Sequence, residues 1–226
     1  MLSAIVLAAG KNRRFAAKLP KVISKIGTKP VIYYPLFTLN RHPDIDEIVV
    51  VANPENIRAI CAIIRRYKIN KARKIVLGGR ERRDSVFQGL KPLSPDIDYV
   101  LIHDGARPFI SSGMVSSVIL AAKRSGAAAV GVAVKDTIKE VANSIVVKTL
   151  KRSRLWEMQT PQVFKKSLIL RAYKEAGNLK ATDDAMLVER LGVKVRVALG
   201  AYSNIKITTP EDLIVARAIL KKGKVS

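Results

Sequence analysis

Small residues followed at once by cations carry the first recognisable chemistry of this chain. Ser3-Ala4-Ile5-Val6-Leu7-Ala8-Ala9-Gly10 is an apolar, β-prone run that ends on two alanines and a glycine. The basic loop Lys11-Asn12-Arg13-Arg14-Phe15 and then Leu19-Pro20-Lys21 come directly after it. A strand that ends in small residues lets the backbone approach a ligand closely. Fixed positive charge beside such an opening suits a nucleoside triphosphate: the amides of Ala8, Ala9 and Gly10 can meet base or ribose, and Arg14 and Lys21 can meet phosphates. Taken alone, the stretch reads equally well as a βα loop with solvated bases. The two common glycine-rich phosphate cradles are absent. There is no G-x-x-x-x-G-K-[ST], and Gly10 stands alone where G-x-G-x-x-G needs further glycines.

The elements that must position these residues follow from hydrophobic periodicity. Ile48-Val49-Val50-Val51-Ala52 predicts a buried strand. Residues 54–66 place Ile57, Ile60, Cys61 and Ile64 on one helical stripe, and Cys61 is expected in the core. Lys74-Ile75-Val76-Leu77, closed by Gly78-Gly79, predicts another strand, as do residues 98–103, 127–134 and 193–199. Residues 113–126 predict a helix with Val115, Val118, Ile119 and Ala122 on one face. Thr209-Pro210-Glu211-Asp212 opens a last helix that runs to about Lys222, with a capping hydroxyl, a proline for the first turn and acids at the positive end. Strands alternating with helices predict an α/β fold: a Rossmann-like, mostly parallel sheet with helices on both faces. Ligands of such sheets bind at the carboxyl ends of the strands, here Ala8-Ala9-Gly10, Ala52-Asn53-Pro54, Gly78-Gly79 and His103-Asp104-Gly105. Residues 135–152 break the alternation. Two β-prone pieces around Ala142-Asn143-Ser144 predict a hairpin, either a projecting arm that packs on a second subunit or a plain surface hairpin.

Composition bounds the function classes. With 226 residues and 48% hydrophobic residues the chain can bury a sizeable core, and its single cysteine, Cys61, allows no internal disulfide, which fits a reducing cytoplasm. No signal-peptide pattern is expected at the first apolar run, and no apolar run reaches the ~20 residues of a membrane span. Lysine and arginine number 41 against 18 acids, a net charge of +23. A thermophilic surface raises Glu together with Lys, so that account is incomplete. Nucleic-acid binders concentrate charge on a tail or face with interleaved aromatics, whereas these charges are spread along the chain and aromatics make up 5%. A generic basic surface serving anionic substrates is the preferred reading, with a basic nucleic-acid-binding protein as the rival of a different class.

Several motifs in order resemble one family. Leu7-Ala8-Ala9-Gly10-x-x-x-Arg14 followed by Pro20-Lys21 is similar to the signature of sugar-phosphate nucleotidyltransferases. The further motifs are Gly78-Gly79-Arg80-Glu81-Arg82-Arg83-Asp84-Ser85-Val86, His103-Asp104-Gly105-Ala106-Arg107-Pro108-Phe109, Thr160-Pro161-Gln162-Val163-Phe164, Thr182-Asp183-Asp184-Ala185 and Asn204-Ile205-Lys206-Ile207-Thr208. Together they resemble the 2-C-methyl-D-erythritol 4-phosphate cytidylyltransferases of non-mevalonate isoprenoid synthesis, over essentially the whole chain. The resemblance implies attack of the sugar phosphate on the α-phosphorus of CTP, with Mg²⁺ assisting and pyrophosphate leaving. It implies that Arg14 and Lys21 neutralise the α-phosphate, that Ala8, Ala9, Gly10, Gly79 and Ser85 form the cytidine pocket, and that Asp104 lies near ribose, metal and phosphates. It implies that Arg152 and Lys206 grip the sugar phosphate, assisted by Arg107, Thr137 and Thr182. It further implies a single domain over 1–226 and a homodimer whose 135–152 arm brings Thr137 and Arg152 to the partner's site. A related cytidylyltransferase acting on ribitol 5-phosphate shares the cytidine pocket and is the close alternative.

Each assignment has a plainer rival in the residues themselves. Asp104 at a strand end and Ser85 can be capping residues, and Lys206 and Arg152 can be two surface cations among 41. His42 and His103 read as structural, since His103 lacks the neighbouring ligands a metal needs. Trp156 reads as packing at the base of the arm. Gly105 stands where the family usually has alanine, which reads as harmless.

Overall fold

A computed structural model describes residues 1–10, 20–177, 179 and 181–223. Its elements run β1 (Leu2–Leu7), β2 (Lys25–Ile26), β3 (Lys29–Pro30), α1 (Tyr33–Arg41), β4 (Glu47–Ala52), α2 (Ile57–Arg66), β5 (Ala72–Leu77) and α3 (Arg82–Leu90). They continue through β6 (Tyr99–Asp104), α4 (Ser112–Ser125), β7 (Ala127–Ala133), β8 (Lys139–Ala142) and β9 (Ile145–Thr149). The last are β10 (Trp156–Lys165), α5 (Lys166–Glu175), α6 (Asp184–Glu189), β11 (Arg196–Leu199) and α7 (Pro210–Lys221).

Among the described residues one seven-stranded sheet has the order β11-β7-β10-β6-β1-β4-β5. β1 pairs in parallel with β4 and β6, β4 with β5, and β7 with β11, whereas β10 runs antiparallel between β6 and β7. The strands other than β10 therefore end at one edge. Strand order reverses around β1, which has β4 on one side and β6 on the other, so a crevice opens between the ends of β1 and β6.

Alternation along β1 explains why both faces are covered. Ala4, Val6 and Ala8 join a core with Leu36, Ile60, Val115 and Val118 from α1, α2 and α4. Ile5 and Ala9 join the opposite core with Val86, Phe164, Ile169 and Val188 from α3, β10, α5 and α6. A strand buried on both sides reads as a continuous apolar run, as the β1 and β4 sequences do. α7 closes a smaller cluster with Ile26, Val31, Phe109 and Ile207, and its start is a capping box between Thr209 and Asp212.

The hairpin forms where it is expected. Asn143 and Ser144 take positive φ between β8 and β9, as a tight hairpin turn requires, and both strands are exposed throughout. It leaves from the end of β7, at the same sheet edge as the crevice.

Several details differ from expectation. Cys61 is half-buried, not core: Ile60 and Ile63 point inward with Ile57 and Ile64 against them, which puts Cys61 at the margin of the stripe. The strand over 193–199 shortens to Arg196–Leu199. Trp156 does sit at the arm's base, opposite Ala133, but is 42% exposed. β10 was not anticipated as a strand, because Pro161 and the polar residues Gln159, Thr160 and Gln162 interrupt any alternation. The proline is tolerated because the register shifts between Met158 and Gln162.

Candidate active site

The crevice at the strand ends is a cavity of about 870 Å³, lined among others by Ala8, Ala9, Gly10, Lys21, Gly79 and Ser85, and on its far side by Arg82, Asp104 and Lys206. Its first wall is the end of β1. The Ala8 N–H donates to Val51 O at 2.7 Å, and Ala8 O accepts from the buried Asn56 side chain at 2.8 Å. Small residues are required here by contact. A Cβ on Gly78 would collide with the Ala9 Cβ and stand 2.7 Å from Ser85 Oγ. Gly105 is less tightly constrained: a Cβ there would lie 2.9 Å from Leu7 O, so the alanine usual in the family requires a small shift between the ends of β1 and β6. The Gly105 N–H donates to that same carbonyl at 2.8 Å.

The second wall is the start of α3. Residues 79–85 line the cavity, which places the helix start there, and the helix is opened by a capping box between Glu81 and Asp84. The Gly79 N–H donates to Ser85 Oγ at 3.2 Å, and that hydroxyl donates to Glu81 O at 3.0 Å. Ser85 thus lies in the pocket and also fixes the loop that carries Gly79.

Asp104 ends β6 and is the centre of charge. Lys206 Nζ lies 2.6 Å from its Oδ2, Arg82 Nε 3.4 Å from its Oδ1, and Arg107 Nε 4.0 Å from Oδ2. Burial opposes ionisation, but Arg82, Lys206 and Arg107 outweigh it and hold the carboxyl well below the usual range. The Asp104 N–H donates to Thr160 Oγ1 at 3.0 Å, so the β10 irregularity helps to set the backbone at this point. Lys206 is aimed by its neighbours. Buried Asn204 donates to Gln159 Oε1 and Thr160 O, both at 3.0 Å, and Arg107 Nη1 donates to Asn204 O at 2.7 Å. The Ile207 N–H donates to Ala106 O at 2.8 Å.

The expected residues therefore divide. Ala8, Ala9, Gly10, Lys21, Gly79, Ser85, Asp104 and Lys206 line one cavity. Arg107 is half-buried and does not line the cavity; it ties the Lys206 loop to the end of β6. Thr182 is exposed just before α6 and does not line the cavity. Thr137 and Arg152 sit at the exposed root of the arm, away from this protomer's cavity, where Arg152 donates to Lys135 O. Arg14 lies outside the described residues. His103 is fully buried between Thr160 Oγ1 and Arg107 O, each at 3.1 Å, and burial pushes its pKa down to about 4, so it is a structural neutral imidazole.

Arg82 was missed. It stands among Arg80 and Arg83, and a run of arginines does not say which one faces inward. The available signal was its spacing: Arg82 precedes Ser85 by one helical turn and so shares its face.

The lining residues offer cations, a helix N-terminus and an ionised carboxylate. Among the described lining residues the one hydroxyl is that of Ser85, and it donates to a backbone carbonyl. Such a site can bind a polyanion and stabilise charge gathered on phosphorus, without covalent catalysis.

Comparison with known proteins agrees with this chemistry. The family model described as 2-C-methyl-D-erythritol 4-phosphate cytidylyltransferase matches residues 2–222. A protein of that name from Alkaliphilus metalliredigens is 46% identical over 227 residues, covering 99% of this chain and 94% of the relative. One from Halalkalibacterium halodurans is 45% identical, covering 96% of each. Among solved structures, 4-diphosphocytidyl-2C-methyl-D-erythritol synthase from Anaerococcus prevotii superposes with a TM-score of 0.86 at 37% identity, covering 97% of this chain and 98% of that one. The Thermus thermophilus 2-C-methyl-D-erythritol 4-phosphate cytidylyltransferase does so with 0.78 at 31%, covering 96% and 98%.

Proposed function

The chain belongs to the 2-C-methyl-D-erythritol 4-phosphate cytidylyltransferase family, and from that premise we propose that it transfers the cytidylyl group of CTP to 2-C-methyl-D-erythritol 4-phosphate. The observation that carries the reading is the convergence of Lys206 and Arg82 on Asp104 inside the cavity between the ends of β1 and β6. A phosphate oxygen of the sugar attacks the α-phosphorus, a new P–O bond forms, and the bond to the bridging oxygen breaks to release pyrophosphate. The nucleophile is already ionised, so no general base is needed. The catalytic requirement is fixed positive charge around the phosphorus and its leaving group, which Lys21 and Arg82 supply. Arg14, outside the described residues, joins Lys21 in this role. Lys206 takes the sugar phosphate.

The residues present fit a divalent cation delivered with the triphosphate. Asp104 is an ionised carboxylate at the cavity wall, and among the described residues no group of three His, Cys, Asp or Glu side chains forms a metal site independent of substrate. Mg²⁺ bound there would neutralise triphosphate charge and favour departure of pyrophosphate. In the same reading the exposed 135–152 arm brings Thr137 and Arg152 to the cavity of a second copy, making a homodimer. No helix among the described residues is long and apolar enough to cross a membrane, and we place the enzyme in the cytoplasm with its substrates.

Product analysis with CTP and either 2-C-methyl-D-erythritol 4-phosphate or ribitol 5-phosphate tests the substrate. The expected result is a clear preference for the methylerythritol compound; a preference for ribitol phosphate contradicts the proposal.

A further inference from the structure

We propose that Asp184, braced by Tyr173, is a positioning residue that holds the Arg82 guanidinium in the cavity against Asp104. This rests on the cytidylyl-transfer reading above, in which Arg82 is one of the cations that meet the triphosphate. Asp184 opens α6 and its side chain is 1% exposed. One carboxylate oxygen accepts the Tyr173 hydroxyl at 2.6 Å, and the other lies 2.8 Å from Arg82 Nη1. Arg82 Nε, on the same planar group, is 3.4 Å from Asp104 Oδ1. The guanidinium therefore spans two carboxylates carried by different elements, α6 and β6. Tyr173 comes from a third, α5, and its ring stacks on Phe87 of α3, the helix that carries Arg82, with centroids 6.1 Å apart.

Helix capping does not account for Asp184. Asp183 already caps α6 by accepting the Met186 N–H at 3.0 Å, and Asp183 is itself held by Gln162 at 2.8 Å. Burying a carboxylate is costly unless a cation meets it, and apolar residues in place of the whole Arg82–Asp184 pair would fill the same space at less cost. What the carboxylate adds is direction. An arginine on a helix surface has many rotamers, and fixing one of them before substrate arrives removes an ordering cost from the reaction. The two carboxylates also outweigh the burial of Arg82 and raise its pKa further.

The test compares Asp184→Asn, Tyr173→Phe, Arg82→Gln and the double variant Arg82→Gln/Asp184→Asn by steady-state pyrophosphate release, with thermal melts to confirm folding. Asp184→Asn is expected to lower kcat/KM for CTP about 10–100-fold, the scale of a misplaced reacting group. Tyr173→Phe should lower it several-fold, and the double variant should match Arg82→Gln within about twofold, because a residue acting through another adds nothing once that other is gone. Folded Asp184→Asn with wild-type parameters, or an Asp184→Asn loss that multiplies onto that of Arg82→Gln, overturns the proposal. If Asp184→Asn does not fold, Tyr173→Phe decides in the same way, compared with and without Arg82→Gln. If the wild-type protein releases no pyrophosphate, the functional reading fails. Calorimetric CTP binding then still tests the positioning role, which requires Asp184→Asn to weaken binding only when Arg82 is present.

Discussion

The Lys206 ammonium lies 2.6 Å from Asp104 Oδ2, although the two residues are far apart in sequence and come from a loop and a strand end. In the proposed reaction this contact would join the two substrates, with Asp104 toward the nucleotide and Lys206 toward the sugar phosphate. Asp104 stays ionised because Lys206, Arg82 and Arg107 surround it. Its folded-state pKa is depressed, so its contribution to stability is present above the unfolded value near 3.9 and is lost only as pH falls through the lower folded value. Titration of Asp104 should therefore leave activity unchanged down to pH 5, which a pH–rate profile checks.

Lys206→Met keeps an unbranched stem and removes the charge. Turnover should fall about 10²-fold or more, as on losing one preorganised charge-stabilising group. Its partner Asp104 is only 10% exposed, so the melting temperature should also fall, while Arg82 and Arg107 still compensate the carboxylate and the variant stays folded at assay temperature. Steady-state kinetics beside thermal melts separate the two effects, and a large drop in melting temperature with activity kept would make Lys206 structural.

Lys21→Ala should cut turnover about 10²–10³-fold for the same reason, while circular dichroism shows a folded chain. Lys21 lines the cavity beside the end of β1. Activity within a factor of two of wild type would remove it from the reacting centre.

Gly78→Ala tests the close approach of the β1 and β5 ends. The added methyl would collide with Ala9 and press on Ser85. Overpacking of this kind costs about 1–3 kcal/mol, and the same shift would deform the cavity wall formed by Ala9 and Ser85, the proposed base pocket. A lower denaturant midpoint together with weaker CTP binding is expected. Unchanged values for both would show that the wall yields freely.

His103→Gln tests the buried imidazole. Burial lowers its pKa from 6.5 to about 4, so between those values the unfolded chain binds a proton that the folded one does not. Stability is complete above about pH 6.5 and falls by about 3 kcal/mol as pH drops to about 4. The glutamine variant should lose that part of the slope in melts taken from pH 7 to 4.5. An unchanged slope would assign the acid sensitivity elsewhere.

Much of the frame was legible because it rests on short-range signals. β1 and β4 are apolar runs, α7 announces itself by Thr209-Pro210, and the hairpin turns at Asn143-Ser144, where positive φ is observed. β10 was illegible as a strand because its polar residues serve the site: Thr160 meets Asp104, Gln159 meets Asn204 and Gln162 meets Asp183. The same holds for Arg82 and Asp184. Both lie in motifs visible in the sequence, but only the meeting of α3, α6 and β6 shows which arginine and which acid face each other. Cys61 failed for a simpler reason, since a stripe read from spacing does not fix which edge residue tilts outward.

The most direct measurement is pyrophosphate release from CTP and Mg²⁺, with and without 2-C-methyl-D-erythritol 4-phosphate. Release that requires that sugar phosphate and fails with ATP, GTP or UTP is the predicted result. No release with it, or equal release from all four nucleotides, would contradict cytidylyl transfer at this site.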